Sequence, residues 1–158
     1  LATLPTDMPI ELVIDSSEGA MEAELGGLWL TSADIHFDKG GLELSIDEPL
    51  QQPLDFLKIR GAMGGFETSG LGNASPRLLD VKCSMGGAEI DLNGQWLNDC
   101  QATIGVRMGG LAVIVPRDVI VEGAEVKGDE MIRTDSEVPI PVLRLSLSAS
   151  MGEIDVSR

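Results

Sequence analysis

Met63-Gly64-Gly65, Met85-Gly86-Gly87 and Met108-Gly109-Gly110 recur at spacings of 22 and 23 residues, and Met151-Gly152 follows 43 residues after Met108. A fixed period of this size marks a repeat architecture. The gap of 43 is close to two periods and predicts a degenerate unit near Met131. Upstream, Gly40-Gly41-Leu42-Glu43-Leu44 parallels Gly86-Gly87-Ala88-Glu89-Ile90, and Met21-Glu22-Ala23-Glu24-Leu25 parallels Ala88-Glu89-Ile90-Asp91-Leu92. Gly27-Leu28-Trp29-Leu30 likewise parallels Gly94-Gln95-Trp96-Leu97, giving about seven units of about 22 residues.

Each unit holds two short segments in which apolar and polar residues alternate, the signature of half-buried strands. One follows the glycines, as in Glu89-Ile90-Asp91-Leu92. The other precedes them, as in Leu57-Lys58-Ile59-Arg60, Leu79-Asp80-Val81-Lys82 and Thr103-Ile104-Gly105-Val106-Arg107. No segment sustains a helical period. Stretches such as Gly70-Leu71-Gly72-Asn73-Ala74-Ser75-Pro76 supply turns and stops between strands. Two strands and two corners per repeat fit a coil that returns the chain onto the turn before it. An antiparallel sandwich would also give short alternating strands, but residue-level recurrence of Met-Gly-Gly favours the coil. The expectation is an all-β, single-stranded parallel β-helix (β-solenoid) of about seven coils, forming one domain over 1–158. Residues 123–142 are expected to be an irregular coil or covering loop.

The chain of 158 residues carries 26 acidic against 11 basic side chains, a formal net charge of -15. That balance argues against nucleic acid and anionic lipid as partners, since both require a surplus of Lys and Arg. No run of about 18 apolar residues is present to span a bilayer. At 43% hydrophobic the chain is too apolar for disorder, so a folded soluble domain is expected. It begins at Leu1 with neither Met, signal peptide nor anchor. An excised fragment or mature segment is therefore expected, reaching a membrane only through a segment that this chain lacks.

Gly70-Leu71-Gly72-Asn73-Ala74, then Ser84-Met85-Gly86-Gly87-Ala88-Glu89-Ile90-Asp91-Leu92-Asn93-Gly94-Gln95-Trp96, then Met108-Gly109-Gly110 leading to Val115-Pro116-Arg117-Asp118-Val119, together resemble the toast-rack β-solenoid superfamily. That group includes the C-terminal domain of the cell-wall-active-antibiotics response membrane proteins and the domains labelled adhesin-like. The resemblance covers most of the chain and is strongest from 56 to 122. It implies a bacterial extracytoplasmic, cell-envelope or cell-surface location, and sensing, scaffolding or partner binding without catalysis. It brings no catalytic motif to carry over.

The residues themselves offer little chemistry. His36, the single histidine, could join Asp34 or Asp38 as a base or pH switch, but no nucleophile or third group is marked beside it. Cys83 and Cys100 stand at different phases of their units, so stacking alone does not bring them within the roughly 7 Å that a disulfide needs. Each Gly-Gly opens a strand, whereas a phosphate-binding loop opens a helix.

The most pointed feature is an acidic register. Counted from the aligned glycines, Glu22, Glu43, Glu67, Glu89 and Glu153 fall in one outward column, with Glu24, Asp91 and Asp155 two residues further along. Like charges on neighbouring strands repel by a few tenths to about 1 kcal/mol each. Ca²⁺ bridging would offset this; so would a solvated ladder that discourages sheet-to-sheet aggregation of a flat β surface. The nonapeptide repeat of calcium-binding β-rolls is absent, so solvation is favoured and no cofactor is expected. Leu111-Ala112-Val113-Ile114-Val115 is apolar in both phases, which makes the stretch around Val113 a candidate contact covered by 123–142, a second protomer or a partner. Trp29 and Trp96, at equivalent corners, are candidate stacking platforms for a glycan.

The expected function is a non-catalytic envelope domain that binds a protein partner or self-associates, with Glu22, Glu43, Glu67, Glu89, Asp91, Val113, Trp29 and Trp96 as interaction candidates. A surface adhesin or glycan-binding module is the alternative. A polysaccharide-acting enzyme would need an aromatic-lined cleft, for which three Phe, two Trp and no Tyr are a poor supply.

Overall fold

A computed structural model describes residues 7–117, 119–123 and 141–157, and over them the chain is a parallel β-solenoid with two sheets. One strand of each turn joins a long sheet: β1 (Ile10–Ser16), β3 (Leu30–Lys39), β5 (Phe56–Met63), β7 (Leu78–Met85), β9 (Cys100–Met108) and β12 (Val142–Met151). The other joins a short sheet: β2 (Met21–Glu24), β4 (Leu42–Ser45), β6 (Phe66–Ser69), β8 (Ala88–Asp91), β10 (Leu111–Ile114) and β13 (Ile154–Ser157). A further strand, β11 (Ile120–Glu122), pairs with the outer edge of β12.

β1 to β10 make five consecutive turns, and β12 with β13 adds one more layer directly on β9 and β10. The coil expected near Met131 does not intervene. Gly109 donates its N–H to Met151 O at 2.9 Å, and a Cβ on Gly152 would lie 1.8 Å from Gly109 O. β12 is laid between β9 and β11, so the strand that precedes it in sequence lies one layer further out. Most of the expected covering segment, including Met131, lies outside the described residues.

The interior is built from aliphatic columns, one residue per turn. Leu12, Ala33, Leu57, Leu79, Ala102 and Leu145 stack in register, as do Ile14, Ile35, Ile59, Val81, Ile104 and Leu147. Facing them from the short sheet are Ala23, Leu44, Thr68, Ile90, Val113 and Val156. Volume is traded between neighbouring turns. Phe37 fills the space that a Cβ on Gly61 would enter at 2.3 Å from its ring, and it stacks on Phe66 with centroids 6.4 Å apart.

The Gly70-Leu71-Gly72-Asn73 segment opens the corner after β6 and joins three turns. The Asn73 amide donates to Ile46 O at 2.7 Å in the turn before, and its Oδ1 accepts from Gln95 N at 3.0 Å in the turn after. Gly72 lacks the Cβ that would sit 2.7 Å from the Trp96 indole nitrogen. Trp96 therefore seats against this corner and donates its N–H to Leu92 O at 2.8 Å. The last layer is fastened where Asp99 Oδ1 accepts the Val142 N–H at 2.9 Å.

Candidate functional site

The corner between long and short strands carries the Gly-Gly repeat, and its two glycines do different work. The first, represented by Gly86, has φ of 129°, and a Cβ there would lie 2.0 Å from Gly64 O in the turn below. Backbone conformation and close approach both exclude a side chain. The second, represented by Gly65 and Gly110, has neither constraint: a Cβ would meet nothing within 4 Å. At Gly41 and Gly87 the nearest atom would be 3.7 and 3.9 Å away. Leaving these positions bare opens space outside the sheet.

That space is an open groove of about 780 Å³ running up the stack. Its floor is Gly41, Gly65, Gly87 and Gly110, and its wall is Glu22, Glu43, Glu67, Glu89 and Asp155. The wall is a true ladder: Glu22 pairs with Glu43, Glu43 with Glu67, Glu67 with Glu89, Glu89 with Ala112 and Ala112 with Asp155. Asp155, expected two residues along, thus replaces Glu153 as the last rung. The reason is register, because Ile154 aligns with Leu111 and leaves Glu153 before the strand. Asp91 stands in the adjacent column, between Ser69 and Ile114 in stacking order, and caps its own corner by accepting from Asn93 N at 2.9 Å.

The two sheets differ in charge. On the outer face of the long sheet, Asp34, Lys58 and Asp80 alternate in one column, while Asp15, His36, Arg60 and Lys82 follow one another in the next. On the short sheet the corresponding columns contain carboxylates, Ser, Ala and Ile with no cation. No three His, Cys, Asp or Glu side chains among the described residues cluster closely enough to hold a metal ion.

Two expected contacts, Val113 and Trp96, are placed otherwise. Val113 is wholly buried, because the inward phase of β10 falls on Leu111 and Val113. The outward residues are Ala112 and Ile114, both half-buried. Trp96 is 8% exposed and packed into its corner, so its ring offers no platform for a sugar, while Trp29 is half-buried. His36 lies 3.3 Å from Asp15 through Nδ1 and 3.3 Å from Asp38 through Nε2. It is a surface group bridging two turns: of the two partners expected, Asp38 is in place and Asp34 is not, and Asp15 of the neighbouring turn is the second carboxylate.

Cys83 and Cys100 are free thiols and both are buried. Burial pushes the Cys100 thiol up to about 12, against a smaller downward pull from a hydrogen bond with the Leu79 backbone. Burial likewise raises Cys83, partly offset by the Met85 backbone. Neither is a nucleophile at neutral pH.

Sequence reasoning missed the groove floor, although its signal was present: the second glycine of each pair sits one residue before an inward-facing position, where an outward side chain is normally found. No protein-family model, curated protein or solved structure matches this chain.

Proposed function

We propose that this chain is a non-catalytic interaction domain of the toast-rack solenoid type, belonging to a bacterial envelope protein and binding a protein partner or a second copy of itself along the groove of the short sheet. The observation that carries the reading is the row of second glycines. Neither backbone conformation nor packing requires glycine there, and together they keep a long trough free beside an in-register row of carboxylates. A β-rich surface that only had to stay soluble would be served by any polar side chain at those positions. Extended backbone lying along the stack could approach the bare main chain closely and present cations to the wall. The envelope location rests on the sequence resemblance.

The test is a photo-reactive amino acid placed at position 87, in the groove floor, and at position 82, on the long sheet. The variants are incubated with an envelope extract and, separately, with unlabelled protein. A cross-linked species from position 87 and none from 82, abolished by Glu43→Lys with Glu67→Lys, is the expected result. A protein that light scattering shows to be strictly monomeric, and that cross-links equally or not at all from both positions, would overturn the proposal.

A further inference from the structure

A second column runs up the same corner, independent of any partner in the groove. Met63, Met85, Met108 and Met151 are consecutive rungs, with Met63 paired to Met85, Met85 to Met108 and Met108 to Met151. They continue the phase that is buried at Leu57, Ile59 and Gly61, yet they emerge at the strand end with exposures of 46, 45, 42 and 65%. Each is followed by a corner glycine. The backbone beneath is fixed: Met85 O accepts from Gly64 N, Met108 O from Gly86 N and Met151 O from Gly109 N, each at 2.9 Å.

Covering the end of the core does not account for four methionines. Strand positions favour Val, Ile, Thr or an aromatic residue, and a solvated rung would ordinarily be polar. What Met supplies in their place is a soft, neutral sulfur donor on a flexible stem. Parallel rungs lie about 4.8 Å apart. An ion shared by two thioethers needs both sulfurs brought to it at once, which the flexible methionine stems on neighbouring rungs permit. The ladder therefore places methionines on adjacent rungs in register, where the thioethers of neighbouring turns can converge on one soft cation. Hard cations are excluded by the donor type, since Ca²⁺ and Mg²⁺ take oxygen. Lys39 closes the column below Met63, which places the favoured rungs at Met85, Met108 and Met151.

We infer that this methionine ladder is a binding site for a soft monovalent cation, Cu(I) or Ag(I), held between the sulfurs of adjacent rungs. Binding requires no change of oxidation state and displaces no proton, because thioethers are neutral. The net charge of -15 favours uptake of a cation anywhere on the molecule; the sulfur column determines where a soft one rests.

The test is titration of the full chain with Ag(I) nitrate in chloride-free buffer, observed through ¹³C-labelled methionine methyl groups. Met8, 52% exposed and outside the ladder, is an internal control. The Met85 and Met108 signals are expected to shift first and to saturate near one ion per chain, with Met8 unmoved. Met85→Leu with Met108→Leu, a substitution that conserves volume and fold, is expected to weaken binding at least tenfold, whereas Cys83→Ser leaves it unchanged. Equal shifts at Met8 and the ladder, or binding that survives the double leucine variant undiminished, would overturn the inference. The wild-type comparison of Met8 with the ladder decides the matter even if a variant fails to fold.

Discussion

Two adjacent glycines with the same sequence signature should respond oppositely to the same substitution. Gly86→Ala places a Cβ against Gly64 O and forces an L-residue into a left-handed backbone, so a loss of about 2–3 kcal/mol or more is expected. Gly87→Ala meets no backbone constraint and should fall within about 0.5 kcal/mol of the parent, or stabilise it slightly by restricting the unfolded chain. Urea denaturation of the pair measures both, and similar losses at the two positions would remove the distinction on which the groove rests. The thiols give a second expectation at this scale. Because Cys100 is raised from 9.0 to about 12 in the folded chain, the folded state holds a proton that the unfolded state releases between those values. Stability is therefore unaffected by this group below pH 9 and falls as pH rises towards 12, by at most about 1.4 kcal/mol per pH unit. Cys100→Ala should cost stability at pH 8 through the lost side-chain volume, and its denaturation midpoint should decline less steeply above pH 9.

At the scale of the strand, the acidic ladder is a repulsive row that aliphatic stacking holds in place. Glu67 has a carboxylate above and below it. Glu67→Gln should raise stability by a few tenths to about 1 kcal/mol in low salt. The gain should nearly vanish in 1 M NaCl, where the screening length is about 3 Å, and urea midpoints at the two salt concentrations give the comparison. β12 tests the topology. It is clamped between β9 and β11, and Leu145 is buried between rungs, so Leu145→Ala should cost about 2–4 kcal/mol. Much of this was legible in the sequence: the strand pairs, the parallel stacking and four rungs of the ladder follow from period-two alternation set against the aligned glycines. The coil count was not, because spacing records chain length between corners and does not say on which layer the next strand is laid. Val113 was misassigned because a run apolar in both phases has no alternation from which to read its inward face. The groove's signal, a second glycine where an outward side chain is normally found, went unread because a glycine that must be bare and a glycine that is merely bare have the same letter.

For the whole molecule, the charge is divided by face. The long sheet interleaves Asp34, Lys58 and Asp80 and sets Arg60 and Lys82 beside His36, so its field is locally compensated. The short sheet carries its carboxylates without a cation in either outward column, so its field is not compensated within the sheet. A field of this kind acts on encounter more than on the bound state, since it steers an approaching partner over about a Debye length while exposed pairs add little once contact is made. For the species that cross-links at position 87, association should therefore slow severalfold between 0.05 and 0.5 M NaCl, with dissociation nearly constant. Glu43→Gln with Glu67→Gln should reproduce part of that slowing at low salt. Asp34→Asn, which removes one charge from the compensated sheet, should not. Surface plasmon resonance separates the two rates. A salt effect confined to dissociation, or equal effects of the two sets of substitutions, would mean that the partner is held by local contacts and that the acidic face does not guide it.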